Sequence, residues 1–151
     1  MPAILHTGLT VRDLDRSLAF YRDLLGMELV FAQEKQGGYL AAIVGYPDAH
    51  VKMAHLAFPG DGARIELFQY LAPAPAGEPS EPREVGITHV CLVVEDLQSV
   101  YERLLGAGVR MRSAPVLVDT GANAGGYGVY LHDPDGALVE LFQPPAREEG
   151  A

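Results

Sequence analysis

Two histidines and two glutamates recur in matching local settings in the two halves of the chain. His6 lies in the segment Leu-His-Thr, and His89 lies in Thr-His-Val. Glu66 lies in Ile-Glu-Leu-Phe-Gln, and Glu140 lies in Val-Glu-Leu-Phe-Gln. Imidazole nitrogens and carboxylate oxygens together suit borderline divalent ions such as Ni, Co, Zn, Mn or Fe(II). The order His, Glu, His, Glu therefore predicts four ligands that converge on one metal ion.

A metal held in this way would be able to do chemistry. Four protein ligands leave about two positions of an octahedral ion for water or for the oxygen atoms of a substrate. An open position is typical of a catalytic metal, whereas a closed ligand set is typical of a structural one. The cation would also remove the free-energy cost of burying two carboxylates side by side. The competing interpretation, four ordinary structural residues, requires the duplicated set to be a coincidence.

Each of the four residues lies in a predicted β-strand. The histidines fall in strands predicted at 4–11 and 87–94, and the glutamates in strands predicted at 63–70 and 137–142. Successive side chains of a strand point to opposite faces, so each candidate ligand lies opposite the apolar side chains next to it. If each half of the chain forms a curled sheet, the four polar groups line its concave surface.

A helix is predicted after the first strand of each half. Asp13 and Asp96 are the predicted N-caps, and leucines and tyrosines follow each of them at helical spacing. Gly26 is predicted to end the first helix, and Gly106 and Gly108 are predicted to end the second. The two aspartates lie 83 positions apart, as do His6 and His89. This common offset indicates that one module has been duplicated.

The remaining segments complete a repeated βαβββ pattern. Further strands are predicted at 27–31 and 51–58 in the first half, and at 109–112, 115–119 and 127–132 in the second. Residues 39–44 have apolar side chains at i, i+3 and i+4, which predicts a short helix that forms part of a lid. The predicted fold class is α+β, with two βαβββ modules whose curled mixed sheets form a metal-binding cup.

A proline-rich segment separates the two modules. Four prolines and one glycine lie between positions 73 and 82, where they deny the backbone its regular hydrogen-bond donors. The predicted organisation is a first module at 1–71, a linker at 72–86, a second module at 87–144 and a C-terminal tail at 145–151.

The composition narrows the class of protein. A net charge of −9 and a pI near 4.9 argue against nucleic-acid binding, which needs a basic surface. No apolar run approaches the roughly 20 residues that a membrane span needs. The single cysteine, Cys91, rules out an internal disulfide framework and fits a reducing compartment. We therefore expect a soluble cytoplasmic protein that acts on a small molecule with oxygen donors.

Three other histidines are interpreted as structural. A lone buried histidine is more often a satisfied core residue than a ligand, and His50 and His55 are interpreted in this way. His132 directly precedes the turn Asp-Pro-Asp-Gly and is expected to be exposed. Cys91 is expected to be a small buried hydrophobic residue without chemistry, although it shares a strand face with His89.

In this order and spacing, the motifs resemble those of the vicinal oxygen chelate superfamily. That superfamily includes glyoxalase I, methylmalonyl-CoA epimerase, extradiol dioxygenases and the fosfomycin- and bleomycin-resistance proteins. The resemblance covers about residues 3–143. It implies paired βαβββ modules that cup one metal, with the ligands His6, Glu66, His89 and Glu140. It also implies a homodimer, in which the metal site lies within one chain or is shared between two.

Within the superfamily, the ligand set is most similar to that of glyoxalase I. This similarity implies a lyase or isomerase that abstracts a proton next to a metal-bound oxygen through an enediolate. It allows either glutamate to be the catalytic base, and we expect Glu140 first and Glu66 second. Thr10 and Tyr70 stand where bacterial glyoxalase I enzymes tend to have an arginine and an asparagine, so lactoylglutathione is not the expected substrate.

Two other functions compete with this one. An extradiol-type dioxygenase would use two histidines and one carboxylate around Fe(II), which would leave Glu66 as a surplus ligand. A drug- or metabolite-binding resistance protein would need no metal, and the presence of all four ligand residues argues against it. Metal content and oxygen consumption with catechols distinguish the three functions.

Overall fold

A computed structural model describes residues 2–78 and 81–146 of the chain. The chain divides into two compact units, Met1–Glu78 and Pro79–Ala151. Each unit contains one four-stranded mixed sheet, which confirms the predicted α+β class and the repeated module. The predicted limits of the modules, the linker and the tail stay predictions. Within the described residues, no helix is both long and apolar enough to cross a membrane.

The first unit has a βαβββ order with one additional helix. Its sheet has the strand order β1-β4-β3-β2, in which β1 is parallel to β4 and the other pairs are antiparallel. Its elements are β1 (Thr7–Thr10), α1 (Leu14–Leu18) continued by a π-helix (Ala19–Leu24), β2 (Glu28–Gln36), α2 (Gly38–Val44), β3 (His50–Ala57) and β4 (Ile65–Ala72). The short helix predicted at 39–44 is therefore confirmed as α2.

The second unit repeats this topology. Its sheet has the order β5-β8-β7-β6, with β5 parallel to β8 and the other pairs antiparallel. Its elements are β5 (His89–Val93), α3 (Leu97–Gly106), β6 (Val116–Leu117), β7 (Tyr127–His132) and β8 (Leu138–Gln143). Each sheet thus places its first strand beside its last, which brings each candidate histidine close to the strand that carries the glutamate.

The helices begin where the aspartates predict. The Asp13 side chain accepts a hydrogen bond from the Arg16 backbone N–H at 2.8 Å, and Asp96 accepts one from the Ser99 N–H at 3.0 Å. At the end of the first helix, Gly26 has a φ of 83°, a left-handed conformation that favours glycine. Both predicted N-caps are confirmed.

The glutamine at the end of each repeated motif fixes the helix to the sheet. The Gln69 side-chain carbonyl accepts a hydrogen bond from the Leu14 backbone N–H at 2.9 Å. Gln143 makes the same bond to the Leu97 N–H at 2.8 Å. Both bonds satisfy a free N–H group in the first turn of a helix. The glutamine of the motif is therefore structural, while the glutamate three residues before it points to other neighbours.

Packing on the helix-covered face follows the strand alternation. Ile65 and Leu67 are buried on either side of Glu66, and α1 contacts both β4 and β3. In the second unit, Val139 and Leu141 are buried on either side of Glu140. Apolar burial of this kind supplies most of the stabilisation of such a sheet. It also fixes the register, because a shift of one residue would turn the glutamates into the core.

Two strand predictions need correction. The strand predicted at 4–11 is shorter, and its first backbone bond joins the Thr7 N–H to the Arg64 carbonyl, because β4 begins only at residue 65. The strand predicted at 109–112 is wrong. Met111 makes only an isolated bridge to Leu131. Pro115, which lacks an N–H donor, lies between this bridge and the two-residue strand β6.

Candidate metal centre

Glu66 lies in the middle of the first sheet, between two strands that carry its neighbours. Its register partners are Gly8 on β1 and His55 on β3. Its Oε2 atom lies 3.3 Å from Nε2 of His6, and its Oε1 atom lies 3.0 Å from Nε2 of His55. The carboxylate of Glu66 therefore uses each of its oxygens to contact a different imidazole.

These three side chains form a compact group of metal-type donors. One ligand atom from each of His6, His55 and Glu66 lies within 4.8 Å of the other two. His55 is buried, whereas His6 and Glu66 keep 33% and 18% of their side-chain surface exposed. Two nitrogens and a carboxylate that converge at a partly open surface fit a divalent cation. The predicted ligands His6 and Glu66 are thus brought together in one place.

His55 is buried, as a core histidine would be. The sequence interpretation does not include its contact with Glu66. A usable signal was present in the sequence. The turn at 59–62 connects β3 to β4, and counting outward from its centre pairs residue 55 with residue 66. His50, five residues earlier on β3, instead contacts Glu34 at 2.6 Å. His132 bonds through Nδ1 to the Gly136 carbonyl at 3.0 Å within its turn and is half-buried rather than exposed.

The second unit brings together the other predicted pair. Nε2 of His89 lies 3.1 Å from Oε2 of Glu140. The register partners of Glu140 are Cys91 on β5 and Tyr130 on β7. The Tyr130 hydroxyl lies 3.3 Å from Nε2 of His89. This unit therefore also presents one imidazole and one carboxylate in contact, with a hydroxyl beside them.

Burial and the nearby carboxylate keep the neighbours of Glu140 protonated. Burial, followed by the charge of Glu140, raises the pKa of the Tyr130 hydroxyl above its ordinary value. Cys91 is exposed rather than buried, and partial desolvation followed by the effect of Glu140 raises the pKa of its thiol to about 11. Near neutral pH both groups are therefore hydrogen-bond donors rather than anions.

A cavity of about 520 Å³ in the first unit adjoins His6, His55 and Glu66. Strand residues and α2 supply its other walls, which include Gln33, Tyr39, Leu40, Met53, Phe68 and Tyr70. None of the described residues that line it is lysine or arginine. Burial raises the pKa of Tyr70, followed by the effects of Tyr46 and Glu66. The cavity offers an apolar wall beside the metal-type donors.

Comparisons of sequence and structure relate this chain to known proteins. Residues 3–141 match the family model described as Glyoxalase/Bleomycin resistance protein/Dioxygenase superfamily. The chain is 32% identical to a probable lactoylglutathione lyase of Vibrio parahaemolyticus, over 93% of this chain and 89% of that protein. It is 33% identical to an ethylmalonyl-CoA/methylmalonyl-CoA epimerase of Cereibacter sphaeroides, over 91% and 95%. A glyoxalase family protein from Bacillus cereus shares the fold, with a TM-score of 0.86 at 21% identity, over 97% and 96% of the two chains.

Proposed function

The chain belongs to the Glyoxalase/Bleomycin resistance protein/Dioxygenase superfamily, and we propose that it is a divalent-metal-dependent lyase or isomerase that moves a proton on its substrate. Relatives over 30% identical carry the names of a lyase and an epimerase, which supports an enzyme of this general type. The observation that carries the proposal is the contact between a histidine nitrogen and a glutamate oxygen in each of the two units.

We assign His6, Glu66, His89 and Glu140 as the ligands of one divalent ion, within one chain or between the chains of a homodimer. In each unit, the nitrogen and the oxygen lie within 3.3 Å, so that a cation beside them would contact both after a small adjustment. Nickel, cobalt, zinc, manganese and iron all suit this donor set. When bound, the ion supplies positive charge that stabilises an oxygen of the substrate as the neighbouring carbon loses its proton.

Glu140 is the proposed catalytic base. Its carboxylate would accept the proton from the substrate carbon and return it to a neighbouring atom of the substrate in an isomerase, whereas an epimerase would need a second acid on the opposite face. The protonated Tyr130 hydroxyl, close to His89, would help to hold that imidazole in place. Glu66 is the second candidate for this role.

The substrate is proposed to have an uncharged body. The cavity beside Glu66 has apolar walls and no lysine or arginine among its described lining residues. Thr10 and Tyr70 both line it, at the positions where the resemblance to bacterial glyoxalase I predicts an arginine and an asparagine. Losing a charge-assisted partner weakens carboxylate binding by about 1.5–3 kcal/mol. Lactoylglutathione, with its free carboxylates, is therefore disfavoured as the substrate. We also propose that the protein is a homodimer in the cytoplasm.

One observation favours a second candidate, an extradiol-type Fe(II) dioxygenase. His6, His55 and Glu66 supply two imidazoles and one carboxylate within a single unit, which is the ligand set of non-haem iron oxygenases. Oxygen consumption by the iron-loaded protein with a panel of catechols tests this candidate directly. Consumption that depends on the catechol would favour the oxygenase over the lyase or isomerase.

The main test combines metal analysis with hydrogen exchange. We expect protein purified without added metal to retain a divalent ion, detected by elemental analysis. In deuterium oxide, this protein should introduce deuterium at one α-carbon of an uncharged α-carbonyl compound, detected by NMR. The chelator-treated protein is the control and should lose exchange until metal is restored. A protein that binds no divalent ion, even after reconstitution, would contradict the proposal.

A further inference from the structure

We infer that His55 is a positioning residue that fixes Glu66 as a permanent metal ligand and leaves proton transfer to Glu140. His55 would donate a hydrogen bond from Nε2–H to Oε1 of Glu66, so that Oε2 stays directed towards His6. This inference rests on the proposed metal-dependent function. It goes beyond that function by giving the two glutamates different roles and by assigning a role to a fifth residue.

The geometry divides the two oxygens of Glu66 between two partners. Oε1 lies 3.0 Å from Nε2 of His55, a normal hydrogen-bond distance, while Oε2 lies 3.3 Å from Nε2 of His6. A carboxylate held through one oxygen loses the freedom to rotate about its last bond. Oε2 is therefore presented in a fixed direction, as a metal ligand requires.

The surroundings of the His55 ring determine where its proton lies. Nδ1 is buried and makes no hydrogen bond within the part of the chain that the structure describes. A proton on Nδ1 would leave a buried donor unsatisfied and would turn the Nε2 lone pair towards a carboxylate oxygen. A proton on Nε2 instead gives Glu66 a donor and leaves only an acceptor without a partner. A proton on Nε2 is therefore favoured over one on Nδ1.

In the proposed lyase or isomerase, the unpaired Nδ1 argues against direct metal coordination by His55, whereas the iron-oxygenase candidate would require it. A histidine that binds a metal through Nε2 carries its proton on Nδ1, and it normally donates that proton to a carboxylate, a carbonyl or water. Within the described residues, Nδ1 of His55 has no such acceptor. The ring is instead held by stacking on Phe31, with centroids 4.4 Å apart and planes at 20°. This packing places His55 behind Glu66 as its support.

The second unit has a different residue at the equivalent position. Tyr130 is the register partner of Glu140, as His55 is of Glu66. Its hydroxyl lies 3.3 Å from the histidine of its unit, His89. Tyr130 and Cys91 also hydrogen-bond to the carboxylate of Glu140. Because Glu66 is held by an imidazole stacked on Phe31, and Glu140 by a hydroxyl and a weakly donating thiol, we assign the fixed ligand to Glu66 and the carboxylate that carries the proton to Glu140.

The first test measures cobalt affinity by competition with a chelator. The variant His55→Leu removes the donor, whereas His55→Gln keeps an N–H donor near the position of Nε2. We expect His55→Leu to weaken cobalt binding by about 10- to 100-fold, as is typical when the support of a ligand is removed. His55→Gln should recover most of the loss. His50→Leu is the matched control, since His50 lies on the same strand but contacts Glu34, and it should retain wild-type affinity.

The second test needs neither a variant nor a metal. Nitrogen NMR of the histidine rings in the chelator-treated wild-type protein should show a proton on Nε2 of His55. An Nε2 atom without a proton, or equal cobalt affinity for His55→Leu and the wild type, would overturn the inference while leaving the proposed function intact. A wild-type protein that binds no cobalt would overturn the metal-dependent function. In that case the NMR result would still decide whether His55 donates to Glu66.

Discussion

The two candidate glutamates occupy the same place in two sheets of identical strand order, but their neighbours differ. Glu66 lies between Gly8 and His55, whereas Glu140 lies between Cys91 and Tyr130. A Cβ atom added at Gly8 would lie 3.6 Å from Oε2 of Glu66, so a side chain there would contact the carboxylate directly. Duplication has thus kept the glutamates and changed both neighbours, which is how two equal carboxylates acquire unequal tasks.

The units also differ between their second and third strands. In the first unit, α2 lies between β2 and β3 and forms one wall of the cavity beside Glu66. In the second unit, the corresponding connection runs from the two-residue strand β6 to β7 and contains no described helix. The first unit therefore combines a supported carboxylate with a binding cavity. In the proposed function, the first unit would hold the substrate body and the fixed carboxylate ligand, while the second unit would supply the carboxylate that carries the proton.

Replacing each glutamate by glutamine should give the largest functional difference between the two units. We expect Glu140→Gln to reduce deuterium exchange at saturating metal by about 10²- to 10⁴-fold, because it removes the proposed general base. Glu66→Gln should act mainly on metal affinity and should recover a large part of its activity when the metal concentration is raised. Both are measured by NMR on the same α-carbonyl substrate.

Far-UV circular dichroism checks that both variants remain folded. Both variants should keep the wild-type far-UV circular dichroism, since Glu66 and Glu140 lie on the faces opposite to the buried leucines. Equal losses for the two variants at saturating metal would show that the glutamates share one role. A larger loss for Glu66→Gln would reverse the assignment and make Glu66 the base.

Much of this asymmetry was hidden from the sequence, although the fold was not. Alternation of apolar residues and the two capping aspartates predicted the βαβββ modules, because burial and helix capping are local properties. The contacts of His6 with Glu66 and of His89 with Glu140 followed from the duplication. The contact between His55 and Glu66 depends on register across a hairpin, which composition and periodicity do not encode.

The errors have similar physical causes. The strand predicted at 109–112 has adequate apolar character, but a strand forms only where a partner offers a continuous ladder. Here Met111 pairs at a single bridge before Pro115 intervenes. The repeat itself places a glutamine at the end of each motif. The hydrogen bonds of these glutamines to Leu14 and Leu97 depend on where each helix lies on its sheet, which the repeat does not specify.

Substitutions in α2 should give the next largest effect. They test whether α2 forms a packed wall of the cavity in the first unit. Leu40 is buried against Val51 and Met53, whereas Ile43 on the same helix is 76% exposed. Leu40→Ala should lower the free energy of unfolding by about 2–5 kcal/mol, because it leaves a cavity in a packed cluster. Ile43→Ala should change it by less than about 0.5 kcal/mol. Urea denaturation measures both.

Both residues line the cavity, so binding separates stability from function. If the cavity receives the substrate body, Ile43→Ala should raise KM without changing kcat, because it removes contact that is equal in the ground and transition states. An unchanged KM for Ile43→Ala, together with a stable fold, would mean that the substrate lies elsewhere.

The smallest expected effect uses Cys91 as a reporter of the charge on Glu140. In the chelator-treated protein, partial desolvation and Glu140 hold the thiol pKa at about 11, and only the thiolate reacts with iodoacetamide. At pH values below this pKa, the alkylation rate should therefore increase about tenfold for each unit by which the pH is raised. Glu140→Gln removes the negative charge that raises the pKa, so at pH 8.5, the thiolate fraction and the alkylation rate should increase several-fold.

The control for this reporter is Glu102→Gln, which removes a carboxylate on α3 that bonds to Gln98. It should leave the alkylation rate unchanged. Addition of zinc to the wild type should act in the same direction as Glu140→Gln, because a cation on the carboxylate offsets the same charge. A rate that does not respond to Glu140→Gln would mean that burial alone sets the pKa of Cys91. In that case Glu140 would have no measurable electrostatic effect on Cys91, in contrast to the hydrogen bond that joins His55 to Glu66.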